Sequence, residues 1–471
     1  MNPSPSRSWY TRLASRLLFP LHERLKQHHS TPLLEALEQS QWLAPEQLQQ
    51  LQNQNLRQFI EHLQQHNPYY SALLAERGLD RDSFRTVADL AKLPLLTKTE
   101  IRAHQQQLLC DIDGKRIKYN TGGSSGEPLI FYMGMDRVSH DVAAKWRATR
   151  WWDVDIGDTE AVIWGSPIEL GKQDRIKQWR DRLFRSYLIP AFDLRPERIR
   201  AYLEQLVRLR PKMVFGYPSV ISQLALAAEQ QQIPLSQLGV KVVFTTSEML
   251  YQHQREQIER LFGAPVANGY GARDAGFIAH QCPQGSLHIS SEHIVVEILD
   301  EQGSPCPPGQ EGEIVVTHLA TRGFPFVRYR TGDMGTLSDQ PCSCGRGLPV
   351  LKEVKGRSTD FICATDGAKV HALALIYILR EINGIEQFKI IQHQDDMTEV
   401  QIRTNSQFSQ AALETISKAM QQRLGSDMKI RISEVEQFET GSNGKFRYVE
   451  DRRTPAPKVP EPATHASEST V

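Results

Sequence analysis

Three groups of residues in this chain have types and spacings suited to chemistry. The first is the loop Thr121, Gly122, Gly123, Ser124, Ser125 and Gly126, followed by Glu127-Pro128. Glycines let a backbone approach a ligand closely, and backbone N–H groups together with hydroxyls can wrap phosphate oxygens. The loop lacks the G-x-x-x-x-G-K-[ST] pattern, so it is not a P-loop. The second group is Cys282 and His288 with Cys342-Ser343-Cys344. Three thiolates and one imidazole form a closed set suited to structural Zn²⁺, with no open position for water. The alternative is a set of reduced structural cysteines. His280 is a spare candidate ligand, and Cys110, Cys306 and Cys363 have no partner pattern and fit plain packing roles. The third group is a series of short polar motifs: Tyr270-Gly271-Ala272-Arg273-Asp274, Tyr329-Arg330-Thr331-Gly332-Asp333, Gly356-Arg357-Ser358-Thr359-Asp360 and Gly444-Lys445-Phe446-Arg447. Each is weak by itself.

These groups need a scaffold, and the hydrophobic pattern sketches one. Leu56, Phe59, Ile60 and Leu63 fall on one helical face, and Asn67-Pro68 ends that helix. From about 115 to 280, β-rich runs such as 213–215 and 240–245 alternate with helical stripes such as Ile199, Tyr202, Leu203 and Leu206. Strands alternating with helices predict a largely parallel, wrapped sheet. Residues 285–355 change to strands with Gly/Pro turns. After Gly356 the pattern predicts a helix near 372–382, strands near 388–393 and 398–403, a helix near 409–423 and a strand near 428–436. The expected organisation is an N-terminal extension over 1–30 and a large domain over 31–357, its β-rich part at about 280–355. A small mobile α+β domain follows over 358–451, then a disordered Pro- and Ser/Thr-rich tail over 452–471. The fold class is α/β.

Several binding elements sit where apolar strands should end, and ligands gather at such places. Trp164, Tyr217 and the pair Ser247-Glu248 each follow an apolar run. Trp164 and Tyr217 could wall a pocket for an apolar or aromatic group, or either could be core.

Composition excludes some classes. In 471 residues, 55 Lys+Arg balance 55 Asp+Glu, so no global field favours nucleic acid. The apolar runs fall short of the roughly 20 residues that cross a bilayer. The N-terminus carries Arg7, Arg12 and Arg16 before a broken apolar stretch, Leu17-Leu18-Phe19-Pro20. It reads as a frayed amphipathic helix or as a peripheral membrane contact. With no secretory h-region, the expected location is cytoplasmic. Six cysteines are too few for a disulfide scaffold.

In their order and separation, the motifs from the Thr121 loop to Lys445 resemble those of the adenylate-forming enzymes. The branch is that of the phenylacetate–coenzyme A ligases and related capsular-polysaccharide biosynthesis proteins, and the resemblance spans roughly Trp42 to Glu450. It implies ATP, Mg²⁺ and coenzyme A as cofactors and a small carboxylic acid as substrate, with a monomer or homodimer as the form. Adenine would pack near Tyr270, with Ser247, Glu248, Asn268, Gly269 and Gly271 around the nucleoside. Asp333 and Arg357 would grip the ribose, and Asp274, where relatives commonly carry Glu, would help hold Mg²⁺. Lys445 would bridge the substrate carboxylate and the α-phosphate during adenylation. Thr359 and Asp360 would form the hinge about which the small domain turns. The same resemblance admits a non-coenzyme A acceptor, AMP transfer to a target, or a catalytically silent scaffold member.

Overall fold

The computed structural model describes residues 8–112, 114–120, 129–164, 175–190, 196–357, 361–366, 369–371, 375–376, 378–379, 381–438 and 448–453. The described residues fall into two compact units, the first ending at 357 and the second beginning at 361.

In the first unit, an 11-stranded sheet is the frame. One half is parallel: Ser186–Pro190, Glu160–Trp164, Met213–Gly216, Val242–Thr246 and Val266–Ala272 lie side by side in that order. All five residues of Val242–Thr246 are buried, as expected of a parallel strand covered on both faces. The cover includes the helices Pro196–Leu209 and Pro218–Gln230, which bury Tyr202, Leu203, Leu206, Ile221 and Leu224 against Val214 and Val243. The other half is antiparallel and continues in the order Gly276–Gln281, Leu287–Ile289, Val350–Arg357, Tyr329–Leu337, Glu311–His318 and Ile294–Leu299. The β-rich segment expected as a distinct part is therefore an extension of the same sheet, joined through the Val266–Ala272 and Gly276–Gln281 hairpin.

Helices close the antiparallel half. Pro45–His66 starts with Pro at its first turn, where the missing N–H is no loss, and buries Leu48, Leu56, Phe59, Ile60 and Leu63. Asn67 ends it and caps the next helix, Pro68–Glu76, by accepting the Tyr70 N–H at 3.0 Å. From Trp9 onward the N-terminal segment is held in place and not frayed. Helical turns run from Trp9 to Leu25, with a π-helical stretch at Ala14–Leu18. Their inner face is fixed by Thr11 donating to Asp158 at 2.8 Å and by Phe19 in a core with Leu34, Leu37, Ala143 and Ile156.

In the second unit, Lys429–Glu434, Met397–Thr404, Ile385–Gln394 and Val449–Asp451 form a sheet in that order. The helix Ala411–Leu424 buries Ile416, Met420 and Leu424, and Leu375, Ile376, Ile378 and Leu379 are helical and buried. The parallel strand Val449–Asp451, beside Ile390 to Gln392, goes beyond the sequence expectation; three residues carry too little pattern to mark a strand.

Candidate active site

The parallel strands bring several of the candidate residues to one edge. Register places Ile163 beside Gly216, Gly216 beside Thr245, and Thr246 beside Gly269. Trp164, Tyr217, Ser247 and the run from Asn268 to Gly271 therefore share the carboxyl ends of adjacent strands, the usual ligand edge of such a sheet. Ser247 adopts φ +70°, a left-handed conformation uncommon for a non-glycine residue and concentrated at functional turns. Glu248 accepts the Ser219 N–H at 3.2 Å, so its carboxylate holds the start of the helix Pro218–Gln230. Asn268 donates its backbone N–H to Gln281 at 3.0 Å.

Two glycines of the Tyr270 motif are required by packing. A Cβ at Gly271 would lie 2.3 Å from the Gly276 carbonyl oxygen, and one at Gly269 would lie 2.9 Å from the Phe244 ring. Between them, the Tyr270 hydroxyl donates to the Asp333 carboxylate at 2.9 Å. Burial and the Asp333 charge hold the Tyr270 phenol well above its ordinary pKa, so it stays a donor. Asp333 is directly opposite Arg357 in the antiparallel ladder, which sets the two nucleoside candidates at one register position.

Asp274 is buried and engaged. One carboxylate oxygen accepts the Tyr329 hydroxyl at 2.6 Å and the other accepts the Ala275 N–H at 3.1 Å. Each oxygen keeps one lone pair, enough for a cation to share. The loop that carries it is pinned from behind, because Arg137 donates to the backbone carbonyls of Arg273 and Asp274, both at 3.2 Å. Arg137 in turn pairs with Asp141 at 3.0 Å. Burial opposes ionisation of Asp141, yet Arg137, His140 and His318 hold its carboxyl far below the usual range. The sequence reading missed Arg137, Asp141 and the role of Tyr329. The i, i+4 spacing of Arg137 and Asp141 on the helix Met135–Arg150 is the signal that marks the pair.

At the proposed acyl wall, the Trp164 and Tyr217 rings lie 4.5 Å apart. Tyr217 is 1% exposed and packs in the core beneath the strand ends. Trp164 is half-buried, and its indole N–H has no partner among the described residues. The Thr121–Gly126 loop, the Arg357 side chain, Thr359, Asp360 and Lys445 lie outside the described residues. The hairpin that flanks the loop is described: Arg116–Asn120 pairs with Ile130–Gly134.

Cys282, His288, Cys342 and Cys344 come together, with one candidate ligand atom from each and all four within 4.8 Å of one another. Cys282 follows the strand Gly276–Gln281, His288 lies on Leu287–Ile289, and the two remaining cysteines sit in the turn before Val350. The His288 Nδ1 is 3.1 Å from the Leu348 carbonyl oxygen and donates to it. The lone pair then belongs to Nε2, which lies 3.3 Å from the Cys344 sulfur. Burial pushes the His288 imidazolium down to about 4 and the Cys282 thiol up to about 11. Neutral imidazole and crowded thiols are the chemistry a soft divalent cation relieves. His280 pairs across the ladder with His288 but stacks on Phe277 at 5.3 Å, outside the four-ligand group.

Comparison with known proteins agrees with this architecture. A family model described as AMP-binding enzyme matches residues 184–321, and one described as CapK C-terminal domain matches residues 362–452. Protein CapK of Staphylococcus aureus is 24% identical over 404 residues, 85% of this chain and 88% of that protein. A phenylacetate–coenzyme A ligase of Thermus thermophilus is 23% identical over 444 residues, covering 87% and 98% respectively. Among solved structures, a 2-hydroxyisobutyryl-CoA ligase in its postadenylation state superposes with a TM-score of 0.72 at 19% identity, over 88% of this chain and 91% of that one. The shared fold, the nucleotide-binding match and the relatives over nearly the whole length agree: the chain belongs to the adenylate-forming superfamily, in the branch of the phenylacetate–coenzyme A ligases and CapK.

Proposed function

We propose that the protein is an AMP-forming acid–thiol ligase. It activates a carboxylic acid with ATP, releasing pyrophosphate, and passes the acyl group to coenzyme A, releasing AMP. The observation that carries this reading is the Tyr270–Asp333 hydrogen bond at the carboxyl edge of the parallel strands. It holds a carboxylate in place to accept both ribose hydroxyls beside an aromatic ring that adenine can lie against.

The rest follows from residue chemistry. The Thr121–Gly126 loop supplies donors for the ATP phosphates, with Arg357 opposite Asp333 as a further donor. Asp274 would hold Mg²⁺, which neutralises phosphate charge, through the lone pairs that Tyr329 and Ala275 leave free. The acid carboxylate attacks the α-phosphorus, a P–O bond forms, the bond to pyrophosphate breaks, and Lys445 steadies the negative charge. Trp164 would border the acyl group. The coenzyme A thiol then attacks the acyl carbonyl and AMP leaves, after the small domain turns about Thr359 and Asp360. Cys282, His288, Cys342 and Cys344 would hold a structural Zn²⁺ that ties the turn before Val350 to the middle of the sheet. The expected setting is the cytoplasm, within surface-polysaccharide assembly.

The test is pyrophosphate release with ATP·Mg²⁺ over a panel of aryl, fatty and hydroxy acids, with and without coenzyme A. Acid-dependent release followed by a thioester supports the ligase. A further outcome, acid-dependent release with no acceleration by coenzyme A, would move the acceptor to another nucleophile. Silence across the panel with ATP bound would overturn the enzymatic reading.

A further inference from the structure

The N-terminal helical turns bury one face and leave the other bare. On the inside lie Thr11, Ala14, Phe19 and Glu23. On the outside, Trp9 is 71% exposed, Leu17 57%, Leu21 54% and Leu25 77%. These residues, with Leu13, recur every four positions. Four residues overshoot a turn of α-helix by about 40°, so a four-residue repeat drifts around an ordinary helix. The π-helical stretch at Ala14–Leu18 takes more residues per turn and offsets that drift, keeping the leucines on the solvent side. A second outward column, Arg12, Arg16 and Arg24, runs beside the first and ends next to Lys26; all four are exposed.

Charge on the N-terminal part of this face has one sign. The segment before Glu35 contains a single acidic residue, Glu23, and it points inward. Its carboxylate is bound by His22 at 2.9 Å, His28 at 3.2 Å and the Ser30 hydroxyl at 2.5 Å. The helix Arg175–Leu183 extends the apolar surface with Trp179, 71% exposed, and the partly exposed Leu183. That helix is locked to the N-terminal turns. Tyr10 donates to the Leu183 carbonyl at 2.7 Å, Arg185 lies 4.1 Å over the Tyr10 ring, and Phe184 packs edge-on against Phe19.

We propose that this face docks on an anionic lipid bilayer, lying in the interface without crossing it. Exposed tryptophan and leucine beside arginine and lysine match what an interfacial helix needs: apolar side chains for the acyl boundary and cations for the headgroups. A protein partner would need an acidic, apolar groove of matching length, whereas a bilayer supplies both properties on a flat surface. No helix among the described residues is long and apolar enough to cross a membrane, so the contact is peripheral. Because the inner face holds the fold, the outer face can be changed without unfolding the protein.

The experiment is co-sedimentation of the full chain with phosphatidylglycerol-rich vesicles and with phosphatidylcholine vesicles, at low and high salt. Binding is expected on the anionic vesicles and is expected to weaken with salt. The triple variants Leu17→Ser/Leu21→Ser/Leu25→Ser and Arg12→Gln/Arg16→Gln/Arg24→Gln should each lose about tenfold or more in partitioning, with an unchanged thermal melt. Equal recovery on the two vesicle types, or unchanged pelleting of both variants, would overturn the proposal. So would a dimer in sedimentation velocity that becomes monomeric in the leucine variant, which would assign the face to a second copy of the chain.

Discussion

The Tyr270 hydroxyl reaches the Asp333 carboxylate at 2.9 Å although three strands separate their own strands in the sheet. One residue comes from the last parallel strand and the other from the antiparallel extension, so the bond ties the two halves together at the proposed nucleoside position. Replacing the carboxylate by an amide removes its charge and one of the two acceptor oxygens proposed for the ribose hydroxyls. Asp333→Asn should raise the KM for ATP about 10- to 100-fold, the range for a hydrogen bond to a charged group. Tyr270→Phe leaves the carboxylate in place but unanchored, and should raise it by no more than about tenfold. Initial rates of acid-dependent pyrophosphate release against ATP check both. An unchanged KM in Asp333→Asn would remove Asp333 from the nucleotide site.

On the proposed reading, Lys445 serves one half-reaction only. Lys445→Ala should slow acyl-adenylate formation by about 100- to 1000-fold, the magnitude for losing a donor to developing charge. Thioester formation from supplied acyl-AMP and coenzyme A should keep a rate near that of the parent protein. Single-turnover measurement of each half separates them, and equal loss in both would reassign the lysine.

Much of this was legible because it repeats or alternates. The burial of Leu56, Phe59, Ile60 and Leu63 and the strand Ile294–Leu299 follow directly from period and β-branching. The Cys₃His grouping was legible too, since few residue types suit a closed metal set. What was hidden is the support behind the site. Arg137, whose guanidinium is buried beneath the Asp274 loop, reads in sequence as one of many surface arginines until the fold brings residues 137 and 274 together. The continuity of the sheet was hidden for the same reason. Pairing of Leu287–Ile289 with Val350 is a long-range contact that local pattern does not encode.

Removing a ligand from the Cys₃His group tests whether it holds metal. Cys282→Ser and Cys344→Ser should each abolish bound zinc, read by elemental analysis, and lower the melting temperature by a few degrees. Chelation of the parent protein should reproduce the shift. Cys110→Ser, whose sulfur accepts from Asn67 at 3.3 Å away from the four-ligand group, should leave the zinc content unchanged. Metal-free protein with the parent's stability would make these four residues packing thiols.

Acid sensitivity is the remaining consequence of the buried polar layer behind the site. His140, His293 and His318 pack ring against ring, at 5.2 and 4.8 Å from His140. The His318 Nδ1 accepts the Ala320 N–H at 3.3 Å, so its Nε2 carries the ring proton and has no lone pair for a cation. That argues against a metal between His140, Asp141 and His318. Burial, with Arg147 and His140 nearby, pushes the His280 and His293 imidazolium forms down to about 3, and His318 is lowered as well. Asp141 opposes this at His280 and His318 without reversing it. The folded chain keeps the His280, His293 and His318 rings neutral while the unfolded chain protonates them below their ordinary value near 6.5. Stability is therefore full above about pH 6.5 and falls by about 1.4 kcal/mol per pH unit per ring as pH drops toward the folded values. Urea midpoints from neutral pH to about pH 5 should show the loss. His280→Leu, which cannot take up a proton, should make that slope shallower by about one ring's share. A parent protein whose midpoint is flat across this window would mean that these rings gain no protons on unfolding.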